Sequence, residues 1–492
     1  MNNVELFNNT IEDRSKRLGP PNRMNDLNYT TWMKFQKSFF RYSSIQNLVE
    51  ECIFFFTKAT WPNGESSRSL VITDNEFNAS VIPPPRIVST EDSGNSISRF
   101  ITKLEKISKL NNAFDFLFID LRRYIKTPDQ YSHFIKNYSD RFFTAVHSML
   151  IADRYGCVLV DTEGPGGKGF PYPWAIALNA RAYVKLRDEK IALIEEKERV
   201  FYCLFFQAAN DLCHSVQLTP TLMQTAKTKR IIPAWTIPKP PPRKKNEVLH
   251  PAKYPETLVS QFIELFTKPG DNVFDPMVGT GSTVVAAVRS GRNGYGIDLI
   301  SDFVEIAKRR IQIESQDVLF EKFIPKPKGF IFQGDATHLN EINELQDATF
   351  QYAITSPPYW SMLTNPGSEN QEARRQKNLI LAYSDNEEDL GNVQDYEHFL
   401  DLLEAVYSQV AKLLRPGGYL TVVVKNVKRN HVIYPLAWDL TARLCSPVGA
   451  YALLGTTLWC QDDVGLKPFA VGIHWVSNTL HHYCVHFQKR RD

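Results

Sequence analysis

The chain has 492 residues, enough for two or three domains, and 43% hydrophobic with 23% charged residues is the balance of an ordinary folded protein. A net charge of only +3 excludes a globally basic nucleic-acid binder, so any such surface must be local. Seven scattered cysteines with no Cys-x-x-Cys pair argue against zinc and disulfide frameworks and fit a reducing cytoplasm; no apolar run reaches membrane-spanning length, and the polar start carries no signal-peptide core.

Residues 1–110 mix helical and irregular signals. The stretch 32–40 places aromatics between lysines and reads as an amphipathic packing segment, with phosphate contact as the alternative. Residues 80–96, with their prolines and serines, predict a loop. A strand is expected over Phe114–Asp120 and a helix over 131–150, where Phe134, Tyr138, Phe142, Val146 and Met149 share one face. A buried strand follows at 157–160, a glycine loop at 164–169 and a helix at 173–186. Residues 226–245 are the clearest boundary, a proline-stiffened basic stretch read as a linker that could also meet phosphates through Lys227, Lys229, Arg230, Arg243, Lys244 and Lys245. The expected division is therefore an N-terminal domain over 1–225, a linker over 226–245 and a second domain over 246–492.

The second half opens with a helix at 255–266, stopped by Pro269-Gly270. A strand at 272–274 runs into a glycine-rich turn, Asp275 to Thr283, and then a helix at 284–289. Glycines there let backbone approach a ligand closely. The next strand, 294–297, ends in Asp298, placed to accept from ribose hydroxyls, and the strand Gly329–Gln333 is followed by Asp335, suited to an adenine amino group. Asp275 at the head of the turn would repel a pyrophosphate but suits a cationic ligand.

Residues 354–360, Ile-Thr-Ser-Pro-Pro-Tyr-Trp, end a further buried strand. Two prolines without N–H groups stop the ladder, so the chain must turn out at the C-terminal edge of the sheet, where open α/β folds place ligands. A hydroxyl (Ser356), a stiff backbone (Pro357, Pro358) and an aromatic face (Tyr359) suit a planar heterocycle bearing an amino group. A plain proline-rich loop is the alternative.

With these residues in hand, 250–489 resembles the bacterial amino-group DNA methyltransferases, which methylate cytosine N4 or adenine N6. His250-Pro251 resembles the family's segment beside the methionine end of the cofactor. Phe274-Asp275-Pro276 with Gly279, Gly281 and Ser282 resembles its cofactor loop, although Met277 stands where Phe is usual. Thr355-Ser356-Pro357-Pro358-Tyr359-Trp360 resembles the catalytic motif in the form most typical of the cytosine-N4 enzymes. The runs 389–392, 415–418 and 434–439 fit the same pattern, and the order is cofactor loop first, catalytic motif second. The resemblance implies a Rossmann-like S-adenosylmethionine-dependent fold, Ser356, Pro357, Pro358 and Tyr359 as catalytic residues, and a flipped base in double-stranded DNA. It implies no metal and no membrane, a cytoplasmic, nucleoid-associated enzyme of restriction–modification or defence, and room for a cognate restriction endonuclease as partner. Arg374 and Arg375, in the loop after the motif, join the candidate DNA contacts. Adenine-N6 methylation, which uses the same architecture but usually with Asp or Asn before Pro-Pro-Tyr where this chain has Ser356, is the alternative; a non-catalytic DNA-binding subunit ranks behind both.

The N-terminal half also reads as a degenerate copy of the same fold. Residues 48–58 resemble 258–268, 114–119 resemble 350–355, 131–134 resemble 396–399, and 154–160 fall where 418–424 do. Where Ser-Pro-Pro-Tyr should stand, the first half has Asp120-Leu-Arg-Arg-Tyr124, and it has no Asp-Pro-x-x-Gly-x-Gly. The expectation is a copy that kept its frame, lost catalysis and cofactor, and serves in target recognition.

Overall fold

Aliphatic and aromatic runs form two mostly parallel sheets, one in each half of the chain. The structure, a computed structural model, describes residues 24–73, 77–92, 96–161, 172–194, 199–208, 226, 232–238, 254–315, 326–360, 389–429, 432–461, 466 and 474–491. They fall into two units, divided as 1–220, 428–433 and 461–481 against 221–427, 434–460 and 482–492.

The first unit contains β1 (Phe39–Tyr42), β2 (Arg68–Thr73), β3 (Ile87–Asp92), β4 (Phe114–Asp120), β5 (Leu150–Asp161), β6 (Lys185–Ile194) and β7 (Arg199–Gln207). Their order is β3-β2-β4-β5-β7-β6-β1, with only β7 antiparallel to its neighbours. The second unit supplies β8 (Trp235–Thr236), β9 (Asn272–Asp275), β10 (Asn293–Asp298), β11 (Gly329–Gln333), β12 (Phe350–Thr355) and β13 (Leu414–Val424). After a separate ribbon of β14 (Val427–Arg429) and β15 (Val432–Tyr434) come β16 (Tyr451–Cys460) and β17 (His481–Lys489). This sheet runs β11-β10-β9-β12-β13-β17-β16-β8. Without β11, the two orders coincide strand for strand. This is the Rossmann-like fold expected of a methyltransferase, and the first sheet repeats its topology.

Each sheet is held by an apolar helix face. In the second unit, Leu258, Phe262 and Phe266 of the helix Glu256–Phe266 pack on Val273, Tyr352, Ile354 and Val423. Full burial of such a side chain contributes about 1.5–3 kcal/mol. In the first unit, Phe55 and Phe56 of the helix Ile45–Phe56 cluster with Phe35, Phe205 and Trp475.

Several expectations are corrected. Residues 80–96 are not all loop: β3 lies there, an edge strand with mostly exposed side chains and hence no apolar alternation to betray it. The helix expected over 173–186 stops at Ala180, and β6 begins at Lys185. The charged run Arg187-Asp188-Glu189-Lys190 hides that strand, yet all four side chains are buried. Lys428 Nζ sits 2.6 Å from Asp188 Oδ1, and Lys190 Nζ donates to the Phe35 carbonyl at 2.9 Å. The helix expected over 131–150 breaks at Tyr138 into Pro128–Asn137 and Ser139–Met149. The described part of the expected linker is sheet edge: β8 pairs with β16, and the Ala226 N–H donates to the Leu453 carbonyl at 2.8 Å. No described helix is long and apolar enough to cross a membrane.

Candidate cofactor and base site

The parallel strands β9, β10, β11 and β12 end at one edge of the second sheet, so their following residues converge. They border a cleft open to solvent, with Pro276, Met277 and Gly279 from the glycine turn and Asp298 and Asp335 from the next two strand ends. Ser356 and Pro358 follow β12 on the same cleft, and Asp389 and Leu390 close another side. Leu299, Ile300 and Phe303 supply an apolar wall.

The glycine turn needs its glycines. Gly279 and Gly281 have φ of 53° and 87°, and a Cβ on Gly281 would lie 2.9 Å from the Ala307 methyl. Gly281 caps the helix Ser282–Arg289, whose first residues lie buried behind the turn. Asp298 fixes the other flank by accepting from the Gly279 N–H at 2.7 Å and the Ile300 N–H at 3.0 Å. Burial pushes its carboxyl up to about 6, against the pull of those two N–H groups. Asp335 accepts from the Thr337 N–H at 2.8 Å and stays partly open to the cleft.

Asp275 and Phe274 are not where the sequence reading placed them. Asp275 is fully buried behind the turn rather than facing the ligand. It accepts from Tyr254 Oη at 2.8 Å, Thr283 Oγ1 at 2.5 Å and the Met277 N–H at 3.1 Å. Burial raises its carboxyl above the usual range while these donors pull it down. These three bonds hold the turn in shape. Phe274 lies in the core, stacked on Phe350 at 4.8 Å. Strand period explains both: a carboxylate at a strand end can point along the edge or into the layer behind, and sequence alone does not say which.

The stretch Ser356–Trp360 is braced on both sides. Ser356 Oγ and Tyr359 Oη are 3.1 Å apart. The Tyr359 ring, 6% exposed, lies 5.9 Å from His482, which stacks on Trp459 at 4.1 Å. Trp360 packs against Tyr434 at 4.6 Å and Tyr396 at 5.0 Å, and its indole N–H donates to the Gln394 carbonyl at 3.2 Å. Pro357 is buried.

The structure thus brings Pro276, Gly279, Asp298, Asp335, Ser356 and Pro358 to one cleft, with Gly281 and Ser282 beneath and Tyr359 beside Ser356. His250, Pro251, Lys227, Lys229, Arg230, Arg243, Lys244, Lys245, Arg374 and Arg375 lie outside the described residues. Sequence reasoning missed Tyr254 and Thr283 as the partners of Asp275, and Asp389 on the cleft; all three stood in segments it had matched to the family. It also missed Lys425, directly after β13, whose ammonium burial lowers to about 8. Thr355 pairs with Val422, so Lys425 sits at the same sheet edge as Pro358.

Carboxylates at successive parallel strand ends, a glycine turn capping a helix and a proline-stiffened hydroxyl loop on the adjoining strand define a methyltransferase of the Rossmann-like class. Residues 20–309, more than half the chain, match the N6_N4_Mtase family, described as DNA methylase, and the chain belongs to that family. The match takes in the first sheet and the glycine turn and ends before Thr355. The chain is 42% identical over 67 residues to the type II methyltransferase M2.DpnII of Streptococcus pneumoniae, covering 14% of this chain and 25% of the relative. It is 36% identical over 66 residues to the DNA adenine methyltransferase YhdJ of Escherichia coli (strain K12), covering 13% and 22%. The chain thus spans about a quarter of these relatives' length. Among solved structures it is similar to the magnesium protoporphyrin IX methyltransferase of Synechocystis PCC 6803 with bound SAM, at 14% identity and a TM-score of 0.28 over 48% of this chain and 77% of that one.

The cofactor is S-adenosylmethionine, and the cleft fits it. Asp298, Asp335 and Asp389 present acceptors to hydroxyl, amino and sulfonium groups, the apolar wall suits a flat adenine, and the glycine turn leaves backbone exposed for close approach.

Proposed function

We propose that this chain transfers a methyl group from S-adenosylmethionine to the exocyclic amine of a DNA base, and that the base is cytosine, modified at N4. The carrying observation is that Ser356 and Pro358 line the same cleft as Asp298 and Asp335, so amine and methyl donor meet across one space. When bound, the cofactor supplies an electrophilic methyl group on sulfur. The chain's residues do the rest. An exocyclic amine is a poor nucleophile because its lone pair is conjugated with the ring. Ser356 Oγ and the Pro357 carbonyl accept its two N–H bonds and favour a pyramidal nitrogen, freeing the lone pair. The prolines keep that carbonyl from swinging away. Holding donor and acceptor in line provides much of the acceleration. The methylated amine would carry one proton too many, which passes to water in the open cleft. The target atom is unreachable inside a duplex, so the base turns out onto Tyr359. In the base-free chain Tyr359 Oη contacts Ser356, so capture of the base exchanges that contact for the amine.

Cytosine is favoured by the serine before Pro-Pro-Tyr and by Trp360. Adenine N6 is the second reading, favoured by the likeness to YhdJ. Duplex DNA incubated with the chain and methyl-labelled cofactor, then digested to nucleosides for mass spectrometry, separates them. Label in N4-methylcytosine supports the proposal, and label in N6-methyladenine reverses the base while sparing the mechanism. Label in 5-methylcytosine, or in no nucleoside, overturns it.

A further inference from the structure

The helix Ile97–Ser108 buries Phe100, Ile101 and Leu104 against the first unit and turns a different face outward. That face carries Arg99, Thr102, Lys103 and Lys106 at helical spacings of three and four, with Lys109 continuing it at the C-cap. Ser98, Arg99, Thr102, Lys103 and Lys106 line a shallow depression, in which the Thr102 hydroxyl donates to the Ser98 carbonyl at 3.0 Å and the Ser98 hydroxyl bonds the Ser96 hydroxyl at 2.9 Å, leaving the cations open. Arg99, Lys106 and Lys109 are exposed and make no ion pair among the described residues. The nearby acids are already engaged: Glu91 pairs with Lys103 at 2.5 Å and Glu105 with Arg141 at 2.7 Å.

Helix stability does not account for this face. Lysines in the last turn favour a helix through its dipole, but Arg99 stands in the first turn, where a cation is unfavourable. Nor does Ser96 relieve the end, since its side chain makes no capping bond. Repetition sharpens the contrast. In the second sheet, the helix Ser301–Ser315 follows β10 as this helix follows β3. There Phe303 lines the acid-bordered cleft, and Lys308 and Arg310 are paired with Glu305 and Glu256. Where the second helix leaves Arg309 as its one exposed cation outside an ion pair among the described residues, the equivalent element of the first sheet presents three, Arg99, Lys106 and Lys109, a set that suits a polyanion.

We propose that Arg99, Lys106 and Lys109 form a phosphate-binding stripe through which the first unit holds duplex DNA independently of sequence. This rests on the reading of the chain as a DNA methyltransferase and gives its non-catalytic half a task. Each neutralised phosphate steepens the fall of log K with log salt by about 0.9. Phosphate contacts carry no base information, so the contribution is the same on every sequence.

The test is the salt dependence of full-length chain binding to fluorescent duplexes of two unrelated sequences. Wild type is compared with the triple variant Arg99→Gln, Lys106→Gln, Lys109→Gln, which leaves the Lys103–Glu91 pair alone. A slope shallower by about two to three units on both duplexes, with cofactor affinity unchanged, is expected. An unchanged slope overturns the proposal, as does a loss confined to one sequence or a wild-type chain that does not bind DNA. Failure of the functional reading is seen elsewhere: a wild-type chain that binds DNA and labels no nucleoside loses its activity assignment, while the stripe is still judged by its slope.

Discussion

The two sheets can be compared residue by residue. In the first, β4 pairs with β5 as Phe114↔Leu150, skips, and resumes as Phe116↔Tyr155; in the second, β12 pairs with β13 as Phe350↔Leu414, skips, and resumes as Tyr352↔Tyr419. The next pair repeats too, Tyr155↔Gln207 against Tyr419↔Gln488. Asp153 and Gly417, each three residues past the matching leucine, both take positive φ, 63° and 72°. Thr57 and Thr267 end equivalent helices, and each is clamped by an arginine preceding the corresponding strand. Arg86 donates to Thr57 Oγ1 at 3.2 Å and its carbonyl at 3.3 Å, and Arg292 donates to the same atoms of Thr267 at 3.0 Å each. The frame is shared.

The edges are not. Between β2 and β3 the described residues hold a single 3-10 turn, Ala79–Val81, where the second unit has its glycine turn and the helix Ser282–Arg289. At the position of Ser356 the first sheet has Asp120, 2% exposed, and Arg122 grips its carboxylate through Nε at 2.9 Å and Nη2 at 2.5 Å. An internal ion pair occupies the edge where the second unit keeps a hydroxyl open to a cleft. The difference teaches that the register and clamps carry folding, while the residues after each strand carry chemistry and can be replaced without disturbing the sheet.

The largest expected effect separates the two edges. Ser356→Ala should lower turnover on the order of 10²–10³-fold, the range for removing one preorganised polar group from a water-excluded site, with cofactor binding intact. Asp120→Ala should leave turnover per folded chain unchanged but destabilise the first unit by about 1–3 kcal/mol, because it removes the carboxylate that the half-buried Arg122 guanidinium pairs with. Single-turnover rates and urea denaturation read the two. If Asp120→Ala abolishes turnover in a folded chain, the first edge is not silent.

Asp275→Ala comes next. It leaves the Met277 N–H and one proton of the mutually bonded Tyr254–Thr283 hydroxyl pair short of their shared acceptor, each at about 1–3 kcal/mol. Cofactor affinity should fall together with the stability of the second unit. Weaker binding at unchanged stability would instead return Asp275 to direct contact with the cofactor.

Smaller and paired are Arg86→Ala and Arg292→Ala. If the clamps are equivalent, each should cost about 1–3 kcal/mol by denaturation, and the two values should agree. A large cost at one and none at the other would break the equivalence of the sheets.

The smallest effect is in pH. Burial raises the Asp298 carboxyl to about 6, so it holds its proton well above the ordinary carboxylate range. Relative to the unfolded chain this favours the folded state at low pH, and the advantage is lost as pH rises through about 6. Ligand binding runs the other way, because only the ionised carboxylate accepts both ribose hydroxyls. Cofactor affinity should therefore rise through about pH 6, by at most roughly tenfold per pH unit, and Asp298→Asn should flatten the curve.

Much of this was legible in the chain. The glycine turn, the serine–proline loop and the strand-end acids are local signals, since each needs a residue type at one place on one strand. The repeat was legible too, because 114–119 and 350–355 carry the same apolar spacing in the same register. What escaped depends on partners far away in sequence. Lys185–Ile194 reads as surface because four charges follow one another, and distant partners such as Lys428, Ser477, His481 and the Phe35 carbonyl make their burial tolerable. Asp275 points inward because Tyr254 and Thr283 wait behind it. β3 has no apolar face to signal it, since it closes the sheet at an edge.

The claim that one edge is a working site and the other a filled one is tested most directly by calorimetric titration of the full-length chain with S-adenosylmethionine. The account predicts one binding site per chain, lost in Asp298→Ala. Two sites per chain, or a single site that survives Asp298→Ala unchanged, would contradict it.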